Sequence, residues 1–251
     1  MVQKILIMGF PHSGTSILKK LIGNAEGVHE HPYESHVVTE EMTAAAEAEG
    51  EAAVVAKGIN FPWTESYLIP GGAAELIVAC KEHLARHGDM RFVMTIKNPH
   101  DIFGSLNKRF GEIPDQDRPP GHSFREWETW AEVFLFFRAN PAANLFPITY
   151  EEFFADGHAA LERLFGFLDL QFDPNLLTQD RRSLIVENVQ DVPDQEPQSR
   201  ENGLDHGRFR TWQINQPIRD MSGESAKFLD GPTQTLIERS KAAERLGYAG
   251  A

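Results

Sequence analysis

Short apolar runs alternate with longer amphipathic segments along most of this chain. The first run, residues 4–9, ends in glycine and is typical of a strand buried on both faces of a parallel sheet. Similar runs predict strands at residues 53–57, 91–96 and 145–150. Because helical segments separate these strands, the pattern indicates βαβ units. We expect an α/β fold of three layers, in which helices flank a central, mainly parallel sheet.

Apolar positions at helical spacing predict the helices, the first of which ends at Gly23. The others are predicted at residues 39–53, 73–87, 124–138 and 236–246, with one opened by Pro99 and one ending at Leu168. Residues 28–35 and 111–121 are predicted to be loops, and the polar, acidic segment 187–206 a mobile loop. No internal repeat is visible, so residues 1–251 are predicted to form one domain.

Composition narrows the class of function. The formal net charge of −13 leaves no evident basic face, so a nucleic acid polymer is not expected as a partner. A small anionic ligand is compatible with this charge, because a few cations and backbone amides in one pocket suffice to bind it. No run approaches the roughly 20 apolar residues of a membrane span. The single cysteine, Cys80, fits a reducing compartment, and a cytoplasmic protein is expected.

A glycine-rich loop follows the first predicted strand. Residues 9–16 read G-F-P-H-S-G-T-S, which has the spacing of a Walker A phosphate loop with Thr15 in the place of the lysine. Small residues let backbone N–H groups converge on a phosphate, and the following helix points its N-terminus at the same place. The missing lysine counts against an ATP or GTP hydrolase, which uses that charge on the β- and γ-phosphates.

This loop resembles the 5′-phosphosulfate-binding loop, P-[KR]-S-G-T-[TS], of the sulfotransferases that use 3′-phosphoadenosine-5′-phosphosulfate (PAPS). A second segment, Lys97-Asn98-Pro99 with a serine eight residues after the lysine, is similar to the same family's 3′-phosphate motif. Weaker similarities are Y-E-E at residue 150, which resembles an element near the adenine, and a late basic loop at residues 207–212. The resemblance implies a P-loop-NTPase-like sulfotransferase fold.

The resemblance also implies the ligands and the residues that bind them. PAPS would be the sulfuryl donor, adenosine 3′,5′-bisphosphate (PAP) the product, and a hydroxyl or amine of a small molecule, sugar or lipid headgroup the acceptor, with no metal. The implied nucleotide-binding residues are Pro11, His12, Ser13, Gly14, Thr15, Ser16, Lys97, Ser105, Arg109, Tyr150, Arg208 and Arg210. Ser105 and Arg109 are four residues apart, so on a helix they share one face.

Three residues are candidates for catalysis. His12 stands where the family has the lysine or arginine that stabilises the leaving oxygen, and a protonated imidazole beside phosphates can donate to that oxygen. Lys57, at the end of a predicted strand, resembles a family lysine that adds positive charge. Glu34 is the first choice for the base that takes the acceptor proton, with Glu30 and His31 as rivals.

Other readings of the sequence remain open. A relative that binds the nucleotide without catalysis, and a P-loop kinase using ATP, would keep the same loop. A metal-dependent hydrolase would instead use His29, His31, Glu34 and His36 as ligands. For the enzyme, we expect the acceptor pocket between residues 61–63, the loop 111–121 and the segment 187–206.

Overall fold

The computed structural model describes residues 1–59, 68–177 and 218–249. The expected mobile loop 187–206, the basic residues Arg208 and Arg210, and the aromatic segment 61–63 lie outside this part of the chain.

Five strands of the described chain form one sheet in the order β2-β3-β1-β4-β5. Every neighbouring pair is parallel, so all carboxyl ends lie at the same edge of the sheet. Gly9 at the end of β1 is in register with Ile59 of β3 on one side and Thr95 of β4 on the other. The strands are β1 Gln3–Gly9, β2 Val28–Glu34, β3 Ala53–Ile59, β4 Met90–Ile96 and β5 Leu145–Thr149.

The edge strand β2 was not predicted, since residues 28–35 were expected to be a loop. Its inner residues include His29 and Glu30, which are buried in contact with Glu49 and Lys19 respectively, so no apolar alternation marks the strand. The register with β3 shifts between Glu30 and Glu34. Pro32 lies in that interval, where the absence of a backbone donor is tolerated at the edge of a sheet.

Helices connect the strands close to the predicted positions. They are α1 Thr15–Gly23, α2 Glu40–Glu49, α3 Gly72–Arg86, α4 Pro99–Phe110, α5 Phe124–Ala139, α6 Ala159–Phe167, α7 Gly231–Arg239 and α8 Lys241–Arg245. The single helix expected at 236–246 is divided in two, because Ser240 leaves the helical conformation and its hydroxyl caps α8 by accepting from the N–H of Ala243.

The two faces of the sheet carry separate apolar layers. Leu6 and Met8 of β1 join the layer formed by α3, α4 and α5, whereas Ile5 and Ile7 join the layer formed by α1 and α6. This arrangement confirms the predicted three-layer fold. On the first face, the buried indole N–H groups of Trp127 and Trp130 donate to the carbonyls of Lys97 and Thr95. Helix α5 is thereby fixed to the carboxyl end of β4.

Candidate functional site

The loop between β1 and α1 turns through two left-handed backbone positions, His12 with φ 64° and Gly14 with φ 80°. A Cβ atom on Gly14 would collide with the ring of Tyr150. A Cβ atom on Gly9 would lie 2.7 Å from Cγ2 of Thr15 and 2.9 Å from Cγ2 of Thr95. Glycine is therefore required at both ends of the loop, at the centre of the carboxyl edge.

Ser13 shows that this loop suits an anionic ligand. Its side chain is fully buried, and its Oγ has no hydrogen-bond partner in the described structure. The backbone is fixed, since the N–H of Ser13 donates to the carbonyl of Phe10 at 3.1 Å. Helix α1 begins at the next turn, and no side chain caps its first N–H groups. A buried hydroxyl beside an uncapped helix N-terminus is a favourable place for a phosphate or sulfate oxygen.

Lys97 also contacts the Tyr150 ring. Its Nζ atom is 4.1 Å from the centroid of that ring and 3.6 Å from Oδ2 of Asp101. Burial lowers the pKa of Lys97, and the carboxylates of Asp101 and Glu151 oppose this effect. Because Tyr150 contacts both Gly14 and Lys97, one buried ring joins the two motifs of the sequence.

The chain that follows residue 217 closes against the same motif. Both oxygens of the buried Asp101 carboxylate accept backbone N–H bonds, from Gly223 at 2.7 Å and Ser225 at 3.2 Å. The N–H of Met221 donates to the Tyr150 hydroxyl at 3.1 Å. Burial raises the pKa of Tyr150, so this hydroxyl remains protonated. Asp101 and Tyr150 therefore fix the segment 218–225 beside Lys97.

The remaining residues of the expected 3′-phosphate site lie on α4. Ser105 is half-buried, one turn after Asp101, and Arg109 belongs to the last turn of the helix. The helix begins at Pro99 with Asn98 as its cap, whose side chain accepts from the N–H of His100.

The structure brings Glu34 and Lys57 together at the carboxyl ends of β2 and β3. The two residues are in register, and Nζ of Lys57 donates to Oε1 of Glu34 at 2.6 Å. The lysine side chain is buried, whereas that of the glutamate is 37% exposed. The expected base and the expected extra cation thus form an ion pair.

The rival residues on β2 bond to other parts of the fold. Nζ of Lys19 is 3.1 Å from Oε1 of Glu30 and donates to the carbonyl of His31 at 2.6 Å. Nδ1 of His29 lies 2.7 Å from Oε2 of Glu49. Within the ranges that the structure describes, no group of three or more His, Cys, Asp or Glu side chains could hold a metal ion. The geometry of the described residues therefore gives no support to the hypothesis of a metal-dependent hydrolase.

His122 is a neighbour of the site that the sequence did not indicate. Its ring centroid lies 6.5 Å from that of His12, with an interplanar angle of 69°. It stands between the loop 111–121 and helix α5, whose cap, Ser123, forms a capping box with Glu126. The S-x-x-E spacing of that box is a signal in the sequence that would have drawn attention to this turn.

A phosphate-type loop after the central strand of a parallel sheet with this order defines an α/β protein of the P-loop type. The chain matches the family described as sulfotransferase domain over residues 2–241 of 251, and it belongs to that family. It is therefore a transferase of the family whose general reaction moves a sulfuryl group from PAPS to an acceptor. No curated protein matches the chain significantly.

Solved structures include similar folds. The sulfotransferase domain of the olefin synthase from Synechococcus PCC 7002 has 15% identity and a TM-score of 0.54, covering 98% of this chain and 95% of that one. The sulfotransferase domain from the curacin biosynthetic pathway has 14% identity, a TM-score of 0.48 and coverages of 99% and 98%. A mouse sulfotransferase complexed with PAP has 14% identity, a TM-score of 0.45 and coverages of 69% and 60%.

The chain thus spans 60% of the length of the mouse enzyme. Because the sequence identities are this low, the similarity to the olefin synthase domain supports the fold alone. Among the described helices, none is long and apolar enough to cross a bilayer.

Proposed function

We propose that this chain transfers a sulfuryl group from PAPS to a hydroxyl or amine group of a small-molecule acceptor. The observation that supports the proposal is that one ring, Tyr150, contacts both Gly14 of the loop with the unpartnered Ser13 hydroxyl and the ammonium group of Lys97. Two phosphate sites beside one ring suit a nucleotide with phosphates at two positions of its ribose. A nucleoside triphosphate carries one continuous phosphate chain, and the loop has Thr15 where such a chain needs lysine.

Each part of the donor has its proposed residues. The backbone of residues 11–16 and the hydroxyl of Ser13 would hold the 5′-phosphosulfate at the N-terminus of α1. Lys97, with Ser105 and Arg109 on α4, would hold the 3′-phosphate. Tyr150 contacts one residue of each proposed phosphate site, Gly14 and Lys97. The resemblance had implied a contact with the adenine instead. Arg208 and Arg210, outside the described residues, remain predicted ligands.

The chemistry requires charge on the leaving oxygen and removal of one proton. PAPS supplies the sulfuryl group and a phosphate oxygen that leaves. His12, held at the turn of the loop, would donate a proton or hydrogen bond to that oxygen. Lys57 would add positive charge from the end of β3, where the hydrogen bond that it donates to Glu34 fixes its ammonium group.

Glu34 fits this positioning role better than the role of base. One of its oxygens already accepts a 2.6 Å bond from Lys57, and a carboxylate paired with an ammonium ion has less tendency to take a proton. We therefore propose that Glu34 orients the ammonium group of Lys57.

The acceptor would bind between the loop 111–121 and the segments 61–63 and 187–206, of which the last two lie outside the described residues. A single domain in a reducing cytoplasm is consistent with the buried, unpaired Cys80.

The test is a turnover assay with PAPS and a set of acceptors (4-nitrophenol, glucose and glycerol), following PAP by chromatography. We expect PAP to accumulate with at least one acceptor, and His12→Ala to remove this turnover while PAP still binds. Phosphoryl transfer from magnesium ATP would instead establish the kinase. Binding of PAP without turnover of any acceptor in the set would favour the non-catalytic relative.

A further inference from the structure

We propose that His122 is the base that takes the proton of the acceptor hydroxyl in the reaction proposed above, on which this inference rests. His122 lies outside both sequence motifs, yet the structure brings its imidazole near that of His12. The two ring centroids are 6.5 Å apart, so the His122 imidazole lies near the loop that is proposed to hold the 5′-phosphosulfate.

The backbone around His122 is fixed by a buried carboxylate. Glu126 is 2% exposed, and its two oxygens accept separate N–H bonds, from Gly121 at 2.8 Å and from Ser123 at 3.0 Å. The N–H of His122 itself donates to the carbonyl of Pro119 at 3.1 Å. Three consecutive backbone donors are thus engaged, and the half-buried side chain of His122 projects from a rigid turn.

The rest of the loop is fixed to the protein body. The N–H of Phe124 donates to Oδ1 of Asp115 at 2.7 Å. The guanidinium of Arg118 donates to the carbonyl of Ile113 and, at 3.3 Å, to the hydroxyl of Thr233 on α7. Such supporting contacts are what a catalytic group needs in order to keep its geometry.

The hydrogen bond of the imidazole selects its tautomer. Nδ1 of His122 lies 3.0 Å from the carbonyl oxygen of Pro120. A carbonyl oxygen can only accept, so Nδ1 carries the hydrogen, and in the neutral ring Nε2 has a lone pair that can take a proton. This tautomer is the one that a general base requires when its other nitrogen is held by the protein.

The acceptor oxygen forms a bond to the sulfur atom of PAPS, and its proton passes to Nε2 of His122. The bond between sulfur and the bridging oxygen breaks, and its electron pair remains on the 5′-phosphate of PAP, where His12 donates. The two histidines thus have opposite roles, because His12 belongs to the loop proposed to hold the anionic donor, whereas His122 belongs to the turn before α5 and has its Nδ1 engaged by a carbonyl.

A purely structural role for His122 makes a different prediction. If the ring only bonded to Pro120, a glutamine, whose amide can also donate to that carbonyl, would replace it without loss of rate. The informative variant is therefore His122→Gln, with His87→Gln on the distant end of α3 as the matched control. We expect His122→Gln to lower kcat by about 100-fold or more and to remove the acidic limb of the pH profile of kcat. KM for PAPS should change little.

A second measurement tests the tautomer on which the proposal depends, even if no acceptor in the set is turned over. Long-range ¹H–¹⁵N NMR of the imidazole rings, with the His122 signals assigned from their loss in His122→Gln, reports the tautomer directly. We expect hydrogen on Nδ1 and a shift of the His122 signals when PAP is added. Hydrogen on Nε2 in the neutral ring, or a full rate in His122→Gln, would overturn the proposal.

Thermal shifts with PAP distinguish an error in the role of His122 from an error in the proposed function. PAP should raise the Tm of the wild type and of His122→Gln equally, because the donor residues are unchanged. If PAP raises neither, the proposed function fails, and the role assigned to His122 is overturned with it. If PAP raises both and kcat is unchanged in the variant, only the inference about His122 fails.

Discussion

The two sides of the carboxyl edge are built in different ways. The donor side, residues 9–16 and 97–105 with Tyr150, is continuous with the core, since Ser13, Thr15 and Tyr150 are at most 4% exposed. The acceptor side, residues 111–123, is a largely exposed loop that is fixed by the side-chain carboxylates of Asp115 and Glu126. The donor side therefore depends on close packing, and the acceptor side depends on a few charged hydrogen bonds.

This difference has a functional meaning. A nucleotide donor is the same molecule in every turnover, and a site built from backbone and core can match it closely. An acceptor site built on a loop can change its lining without disturbing the sheet, because only the carboxylate contacts at its base must be kept. Substitutions on the two sides should consequently separate donor binding from turnover.

The largest effect is expected for Gly14→Ala. The added Cβ would meet the Tyr150 ring, and the residue would have to keep a φ of 80°. We expect PAP binding to be lost, with a decrease of about 2–4 kcal/mol in the free energy of unfolding. Calorimetric titration with PAP and chemical denaturation measure the two effects.

Gly50→Ala is the matched control for Gly14. Gly50 also has a φ of 80°, but no atom lies within 4 Å of the position of its Cβ. This variant should lose only about 1 kcal/mol, the cost of a left-handed alanine, and should bind PAP normally. Equal losses in the two variants would show that the Tyr150 contact does not matter.

Lys97→Met should remove the preference for a 3′-phosphate. The side chain keeps its length and its burial but loses the charge, so the affinity for PAP should fall by roughly 10- to 100-fold while the affinity for AMP changes little. Lys108→Met, an exposed residue further along α4, is the control. An equal loss for PAP and AMP would place the 3′-phosphate elsewhere.

Glu126→Gln should loosen the turn on the acceptor side and leave the structure of the donor side unchanged. The amide can accept at only one of the two positions where Gly121 and Ser123 now donate, so the turn should loosen at a cost of about 1–3 kcal/mol. Turnover should fall while the Kd for PAP is retained. Glu132→Gln, in an exposed pair with Arg245, should have an effect of less than about 1 kcal/mol on the same denaturation curves.

The smallest effect concerns stability at acidic pH, far from the site. Burial, with the nearby charges of His87 and Arg86, lowers the pKa of His83 to about 4 from its usual 6.5. The unfolded chain therefore binds a proton that the folded chain does not, and stability should decline as the pH falls from about 6.5 to about 4, by about 1–2 kcal/mol.

Denaturation midpoints of His83→Leu should be less dependent on pH across this interval, whereas those of His36→Gln, with an exposed ring, should follow the wild type. PAP binding by the wild type should persist while stability declines, which separates local damage at the donor side from general loss of stability. A wild-type midpoint that does not change between these pH values would contradict the assignment to His83.

The parts that could be predicted from the sequence are those determined by local patterns. Four strands and the loop at residues 9–16 follow from apolar runs and glycine spacing. Strand β2 could not be predicted in this way, since its burial depends on partners such as Glu49, twenty residues away from His29. The division at Ser240 depends on a cap that the apolar periodicity does not reveal.

The candidate site, like the fold, could be predicted only where a local pattern in the sequence marks it. The order of the two motifs placed Lys97 and Ser13 at one edge, but the Tyr150 ring between them is a tertiary contact. The bond between Glu34 and Lys57 arises from the register of two strands. His122 comes near His12 only because the loop after α4 folds back over the edge, and no spacing along the chain encodes that distance.

The donor side is proposed to recognise a nucleotide with a separate 3′-phosphate. The most direct measurement is the change in Tm with PAP, AMP and magnesium ATP in parallel. A ligand at about 100 times its Kd adds roughly 2.7 kcal/mol of stability, so a specific site gives a clear shift. We predict a large shift with PAP and little with the other two. Stabilisation by ATP alone, or equal shifts with PAP and AMP, would contradict the account.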